Sequence, residues 1–182
     1  MMRICLHGPE STGKSTLATR LAAHFGCEVV PEYGRAYCET HGTDIDMAAL
    51  VHIAERQQAM NAAAVLRATD SGTKRVLFDT DPLLTAVWAD MMFGQKAQYA
   101  RDPWFAGFNG YADHYLLLDI DLPFIDDGLR VYRKADDRRH FFELAKAELD
   151  ARGVAYSLIQ GIGDARFANA LAAIDDRCAV RC

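Results

Sequence analysis

The sequence predicts an α/β fold in which helices cover both faces of a five-stranded, mainly parallel sheet. Three observations support this prediction. Short apolar runs alternate with longer helical patterns, the first run ends in a glycine-rich loop that opens a helix, and acidic residues directly follow later runs. Such alternation is typical of parallel strands joined by right-handed helical crossovers.

The predicted strands are the short apolar runs at 3–7, 27–31, 75–78, 115–118 and 155–159. The predicted helices are 14–25, 47–69, 82–93, 136–152 and a last helix that follows a turn at 161–164 and runs to about 178. Gly26 and Gly153 are expected to end helices, Pro82 suits a first helical turn, and Asp136 is the expected cap of its helix. The helix at 47–69 places mostly apolar residues on or near one face: Leu50, Ile53, Ala54, Gln57 and Val65.

The composition is ordinary for a globular protein. Of the 182 residues, 51% are hydrophobic and 25% are charged, with a net charge of −5. An acidic chain argues against broad binding to nucleic acid or anionic membranes, which favour basic surfaces. The five cysteines lack zinc-type spacing, so we expect free thiols in a reducing, cytoplasmic compartment. No stretch has the ~18 apolar residues of a membrane span, and we expect one domain over residues 1–182.

Residues 8–15 read Gly-Pro-Glu-Ser-Thr-Gly-Lys-Ser, which matches the P-loop pattern between a strand and a helix. Gly8 permits the tight exit from the strand, and Gly13 lets the backbone approach phosphate. We expect Lys14 to bridge the β- and γ-phosphates of ATP and to act in catalysis, and Ser15 to ligate Mg²⁺. The predicted nucleotide-binding residues of this loop are Gly8, Glu10, Ser11, Thr12, Gly13, Lys14, Ser15 and Thr16.

Acids stand at the carboxyl ends of two predicted strands. Asp79 and Asp81 follow the third strand, and Asp119 and Asp121 follow the fourth. This edge binds ligands in open α/β sheets, and a strand-end acid is the usual second anchor of the metal. Asp79 and Asp81 are therefore the candidate metal anchors, with Asp79 the predicted ligand, and Asp119 and Asp121 are a weaker pair. The alternative for all four is helix capping or turn formation.

The loop at 124–135 is rich in charge and is predicted to be a lid. Arg130 and Arg133 are expected to neutralise charge on the transferred γ-phosphate, and Gly128 suits a hinge. The same alternation of acids and bases also fits an ordinary solvated surface.

Four blocks of sequence come in a recognisable order. They are residues 7–16, residues 30–37 (Val-Pro-Glu-Tyr-Gly-Arg-Ala-Tyr), residues 78–82 (Phe-Asp-Thr-Asp-Pro) with Thr85 and Trp88, and residues 126–130 (Asp-Asp-Gly-Leu-Arg). Together they resemble the ribosylnicotinamide kinase domain of the NadR-type bacterial proteins of NAD metabolism, over nearly the whole chain.

This resemblance implies a P-loop NTPase three-layer sandwich, like nucleoside and adenylate kinases with a lid. It implies transfer of the γ-phosphate of Mg-ATP to the 5′-hydroxyl of nicotinamide riboside, which gives nicotinamide mononucleotide. It also implies that the stretch 161–166 borders adenine, so Arg166 is a predicted nucleotide-binding residue. Since the P-loop begins at residue 8, the resemblance further implies a kinase without the additional domains of larger members.

The acceptor needs an acid near its hydroxyl as base or orienting group. Asp79 is the first candidate and Glu32 the next, while Asp81 is a candidate for ribose hydroxyls. Glu10 is unexpected in a phosphate loop because its charge repels phosphate. It is expected to point away, to pair with a base or to touch the acceptor.

A pyridinium ring favours aromatic faces. Tyr33 and Trp88 are predicted to contact the acceptor, and the aromatic stretch at 104–111 is either a wall of its pocket or core. Arg35 either reaches a phosphate or pairs with Glu32.

Three other functions fit parts of this pattern: a kinase for another small hydroxyl acceptor, an NTP-binding regulatory module and a partner-dependent ATPase. A GTPase switch fits less well, because Leu118-Asp119-Ile120-Asp121 stands where the guanine-recognition element belongs. The predicted partners are ATP and a small nucleoside, without nucleic acid or membrane.

Overall fold

The computed structural model describes residues 1–94, 100–126 and 131–180. Its strands are β1 (Met2–His7), β2 (Val29–Val30), β3 (Arg75–Phe78), β4 (His114–Leu118) and β5 (Tyr156–Ile159). Its helices are α1 (Lys14–Phe25), α2 (Tyr33–His41), α3 (Met47–Asp70), α4 (Pro82–Phe93), α5 (Pro103–Gly107), α6 (Ala135–Arg152) and α7 (Asp164–Val180). Among the helices of these ranges, none is long and apolar enough to cross a bilayer.

The five strands form one parallel sheet in the order β2-β3-β1-β4-β5. From β1 the chain builds β2 and β3 on one side, then β4 and β5 on the other. The carboxyl end of β1 therefore lies where the strand order reverses, the place at which open α/β sheets bind ligands.

Alternate residues of β1 enter different cores. Ile4 and Leu6 pack with Leu21 of α1 in one core, while Cys5 packs with Val87 of α4 in the other. The first core also contains α7, and the second contains α3 and α6. Helices thus cover both faces of the sheet, and the predicted three-layer α/β fold is confirmed.

Most predicted boundaries agree with the structure to within one or two residues, and four elements need comment. β2 is two residues long. Helix α2 was not predicted because none of its residues is buried, so the sequence lacks the apolar period that marks a helix. Helix α5 is a single short turn that begins at Asp102-Pro103. Helix α6 begins at Ala135 after Lys134, so Asp136 lies in the first turn and is not the cap.

Candidate functional site

The loop between β1 and α1 has a backbone shape that two glycines make possible. Gly8 has φ of 128°, and a Cβ atom there would lie 2.9 Å from the carbonyl oxygen of Leu118. Gly13 has φ of 79° and caps α1. These conformations are costly for other residues, and they bring the free N–H groups at the start of α1 to the carboxyl edge of the sheet.

The side chain of Lys14 lies inside this loop. Its Nζ donates hydrogen bonds to the carbonyl oxygens of Gly8 (2.9 Å) and Pro9 (2.8 Å). The Thr12 hydroxyl donates to the same Pro9 carbonyl at 2.8 Å. The ammonium and the positive end of the α1 dipole therefore share one concave surface, an arrangement that attracts phosphate.

Ser15 and Asp79 meet at the start of α1. The Ser15 hydroxyl donates to Oδ2 of Asp79 at 2.5 Å. Oδ1 of Asp79 is buried without a hydrogen-bond partner among the described residues. A hydroxyl beside a carboxylate with spare acceptor capacity offers the oxygen ligands that Mg²⁺ prefers. In the part of the chain that the structure describes, no group of three or more His, Cys, Asp or Glu side chains is placed to hold a metal. A cation held by Ser15 and Asp79 would complete its coordination with phosphate and water oxygens.

A cavity of about 240 Å³ extends from this loop into the helical layer. Its loop end is formed by residues from Gly8 and Glu10 through Thr16, including Ser11, Thr12 and Gly13. Its helical end is formed by side chains of α2, α3 and α4 and of the segment 131–132. One continuous space thus joins the predicted phosphate site to a second compartment.

Two aromatic rings form one wall of the helical end. Trp88 of α4 and Tyr132 both line the cavity, with ring centroids 5.5 Å apart and planes inclined by 31°. Phe141 supports both rings, at 4.9 Å from Trp88 and 6.4 Å from Tyr132. Trp88 was predicted to face the pocket, whereas Tyr132 was not singled out because it lies in a charged loop.

Glu10 connects the two ends. Its Oε2 accepts hydrogen bonds from the backbone N–H groups of Val131 (3.2 Å) and Tyr132 (3.3 Å). The acid in the P-loop therefore holds the segment that carries the Tyr132 ring. This contact gives Glu10 a role that none of the sequence-based alternatives described.

Glu32 and Arg35 line the helical end beside the loop. Burial raises the pKa of Glu32 above its ordinary value. The positive charges of Lys14 and Arg35 lower this pKa, while the negative charges of Asp79 and Glu10 raise it further. Glu32 therefore shares one electrostatic environment with the loop end.

Asp81 and Tyr33 lie away from the cavity wall. Asp81 is 1% exposed. It accepts from the backbone N–H of Leu83 at 3.0 Å and from the hydroxyl of Tyr115. Burial raises the pKa of Asp81 to about 6. The hydroxyl of Tyr33 lies 3.4 Å from His52. Asp81 thus caps helix α4, which is the alternative to a ligand-binding role. Neither Asp81 nor Tyr33 lines the cavity, so the structure does not support substrate contact by these side chains.

The described arginines of the charged loop and of the helix that follows it lie in different environments. Arg130 lies outside the described residues. Arg133 is exposed and pairs with Asp126 at 2.9 Å, outside the cavity wall, so its catalytic role stays a prediction. Arg138, which belongs to the same charged stretch, is buried and donates to the carbonyl oxygens of Leu122 (3.1 Å) and Ser11 (3.5 Å). Arg138 thus connects the P-loop, at Ser11, to the segment that follows β4, at Leu122.

Arg166 is a second buried arginine that binds the backbone of the P-loop. It is 3% exposed and donates to the carbonyl oxygens of Thr12, Gly161 and Asp119. It also pairs with Asp121, which accepts from the N–H of Gly161 at 2.6 Å. Arg166 thus fastens the P-loop to the ends of β4 and β5 without lining the cavity, and Asp119 and Asp121 follow the turn-forming alternative.

The aromatic stretch at 104–111 belongs to the core. Trp104 stacks on Phe108 with centroids 6.0 Å apart, and Phe108 meets Tyr111 edge to face at 5.5 Å. None of these rings lines the cavity. Of the two alternatives for this stretch, core packing is the one observed.

Comparison with known proteins places this chain in a family. Residues 3–166 match a family described as "AAA domain". The chain is 26% identical over 158 residues to the trifunctional NAD biosynthesis/regulator protein NadR of Escherichia coli (strain K12), covering 86% of this chain and 38% of that protein. The NadR of Salmonella typhimurium (strain LT2) is 29% identical over 142 residues, covering 78% of this chain and 34% of that protein. The chain thus spans less than two-fifths of these curated relatives.

Solved structures share the fold. A NadR protein in complex with NR superimposes with a TM-score of 0.74 at 23% identity, covering 97% of this chain and 51% of that chain. A deoxyadenosine kinase from M. mycoides superimposes with a TM-score of 0.64 at 10% identity, covering 96% of this chain and 100% of that chain. The resemblance that the four sequence blocks predicted is confirmed, and the chain belongs to the AAA domain family of P-loop proteins, with the NadR proteins among its relatives.

Proposed function

We propose that this protein is an ATP-dependent kinase that phosphorylates the 5′-hydroxyl of nicotinamide riboside and releases nicotinamide mononucleotide and ADP. The observation that carries this proposal is the continuous cavity, in which Lys14 and Ser15 stand at one end and the Trp88–Tyr132 wall at the other. A related NadR protein has been crystallised with NR, nicotinamide riboside. That complex supports this choice of acceptor.

At the loop end, the N–H groups at the start of α1 and the Lys14 ammonium bind the phosphates of ATP. Ser15 and Asp79 are the side chains that would hold Mg²⁺, because the pair has a spare buried carboxylate oxygen. When bound, the cation neutralises charge on the phosphate oxygens. Lys14 stabilises the negative charge that spreads over the γ-phosphate during transfer.

Glu32 is the acid that we assign to the acceptor hydroxyl. It lines the cavity, whereas Asp79 is 5% exposed and bonded to Ser15. The acceptor oxygen forms a bond to the γ-phosphorus, the bond from that phosphorus to the bridging oxygen of ADP breaks, and the hydroxyl proton passes to the Glu32 carboxylate. This assignment replaces the sequence-based preference for Asp79 as base.

The helical end suits a cationic ring. Trp88 and Tyr132 present aromatic faces, which attract a pyridinium by stacking and cation–π interaction. Glu10 and Glu32 add negative charge to the cavity wall. A neutral nucleobase gains less from both features, so the pocket favours nicotinamide riboside over ordinary nucleosides.

The direct test is ADP release from Mg-ATP, measured by a coupled assay with a panel of nucleosides. We expect release with nicotinamide riboside and little with adenosine, cytidine or uridine. Mass spectrometry should find nicotinamide mononucleotide in equal amount to ADP. If ADP is released with a different nucleoside and not with nicotinamide riboside, that nucleoside is the acceptor and the proposed acceptor is wrong. Release without any acceptor would indicate an ATPase. Tight ATP binding without release would indicate a regulatory module.

A further inference from the structure

Two buried amide side chains on α3 face the corner that carries Glu32. Gln57 is 1% exposed and Asn61 is 8% exposed. They lie one turn apart, on the face that packs against the carboxyl edge of the sheet. Buried amides must find hydrogen-bond partners, and the partners of this pair are informative.

Gln57 binds the two peptide groups that flank Glu32. Its Oε1 accepts from the backbone N–H of Tyr33 at 2.7 Å, and its Nε2 donates to the carbonyl oxygen of Pro31 at 3.2 Å. Tyr33 is the first residue of α2, and its N–H has no partner within the helix. One side chain thus fixes the backbone on both sides of Glu32.

Asn61 extends this connection to the opposite acid. Gln57 Nε2 also donates to Oδ1 of Asn61 at 3.0 Å, and Nδ2 of Asn61 donates to the carbonyl oxygen of Thr80 at 3.3 Å. Thr80 directly follows Asp79. The amide pair therefore links the backbone at Glu32 to the backbone at Asp79.

Gln57 also lines the cavity, so ligand recognition is the competing explanation. Both N–H groups of its amide donate within the chain, however, and its oxygen already accepts one bond. A side chain whose donors are used internally is poorly suited to read a ligand.

We propose that Gln57 and Asn61 are positioning residues, which hold the Glu32 carboxylate at a fixed place relative to Asp79 and Ser15. This inference rests on the proposed kinase function for its catalytic consequence. The structural part of the inference, that Gln57 fixes the backbone on both sides of Glu32, does not depend on that function.

The test uses Gln57→Met and Asn61→Leu in the full chain. Because small displacements of a reacting group cost about 10- to 100-fold in rate, we expect kcat with nicotinamide riboside to fall by about that factor in Gln57→Met and by less in Asn61→Leu. The KM for ATP should stay within about twofold in Gln57→Met, since Gln57 bonds to Pro31, Tyr33 and Asn61 and not to the P-loop. If the amide pair serves only stability, the variants should melt at a lower temperature but keep the wild-type kcat well below melting. That result would overturn the catalytic consequence.

Two variants serve as controls. Gln58→Met changes the exposed neighbour on α3. Ser157→Ala removes the 3.0 Å contact with buried His114 on the far side of the sheet. Both should keep wild-type kcat, and Ser157→Ala shows what loss of an unrelated buried contact does to melting.

A second readout does not depend on activity. Hydrogen exchange at the Tyr33 amide, followed by NMR, should accelerate at least about tenfold in Gln57→Met if Gln57 is its protecting partner. Unchanged exchange would overturn the positioning role. If wild-type protein fails to phosphorylate nicotinamide riboside while exchange accelerates in the variant, the proposed function fails and the positioning inference survives.

Discussion

The two ends of the cavity are built in different ways. The loop end is one continuous segment, and its shape comes from backbone conformations at Gly8 and Gly13 and from braces such as Arg166. The helical end combines side chains that are up to 100 residues apart, from Glu32 to Tyr132. The first is a property of a local motif, whereas the second exists only when several helices pack correctly.

This difference assigns different tasks to the two ends. Backbone N–H groups and one ammonium bind phosphate whatever the acceptor is. Selection of the acceptor depends on side chains that fit its ring and hydroxyls. Substitutions at the loop end should therefore abolish transfer to every acceptor, while those at the helical end should change acceptor use and leave ATP binding intact.

The largest effect is expected from Lys14→Ala. Without its ammonium, charge on the γ-phosphate is not stabilised, and turnover should fall by about 100- to 1,000-fold or more. Coupled ADP release measures the loss, and circular dichroism melting checks that the fold survives. Lys146→Ala is the matched control, because Lys146 is on α6 and pairs with Asp150 one turn away. Turnover near wild type in Lys14→Ala would refute the role of the loop end.

The next effect separates the two acids. Glu32→Gln removes the proton acceptor, so kcat should fall about 100-fold or more while ATP affinity, measured with a fluorescent analogue, is kept. Asp79→Asn is the matched variant at the loop end, and it should weaken the Mg²⁺ dependence of ATP binding. If the two variants lose the same function, the division of labour between Glu32 and Asp79 is wrong.

The pH profile of the wild type adds to this test. The pKa of Glu32 is raised, chiefly by burial, and only its carboxylate accepts a proton. Activity should therefore be complete above this raised pKa and should fall as the pH drops through it. In kcat/KM for the acceptor, the acid limb should lie above the ordinary range of glutamate and should be absent from the residual activity of Glu32→Gln.

The same contrast explains what the sequence could predict. The P-loop, the parallel sheet and Asp79 follow from short patterns, because strand-end positions and a glycine-rich turn have local signatures. Trp88 was predicted because it lies two turns beyond Asp81 on a helix that starts at the same edge. These residues needed no knowledge of how distant helices pack.

The helical end was less predictable for physical reasons. Helix α2 buries no residue, so no periodicity marks it. Tyr132 lines the cavity from a segment whose backbone is bonded to Glu10, more than 120 residues earlier. Gln57 had a visible signal, as a polar residue on the apolar face of a predicted helix, but its partners at Pro31 and Tyr33 are set by tertiary packing.

A smaller effect is expected at the aromatic wall. Trp88→Leu and Tyr132→Leu each remove one face for a cationic ring, which is worth about 1 kcal/mol or slightly more, so the acceptor KM should rise about five- to tenfold. The KM for ATP should not change. Tyr37→Leu is the control, because Tyr37 stacks on His41 outside the cavity wall. Equal increases in both KM values would show that the two ends are not independent.

The smallest effect concerns the support of the loop end at acid pH. His7 is fully buried next to the P-loop, edge to face with Tyr115 at 5.8 Å. Burial lowers the pKa of His7 from 6.5 to about 3, and the charge of Lys14 acts in the same direction.

A histidine with a lowered pKa binds fewer protons folded than unfolded, so its contribution to stability is complete above pH 6.5 and declines as the pH falls towards 3. From pH 7 to pH 6 this amounts to about 0.7 kcal/mol. In His7→Leu that part of the pH dependence should vanish, as measured by denaturant unfolding at both pH values. His114 and Asp81 titrate in both proteins and cancel in the difference, while the exposed His140→Leu should behave like wild type. If the free energy of unfolding of His7→Leu still falls between pH 7 and pH 6 as it does in the wild type, the buried imidazole does not cause that loss of stability.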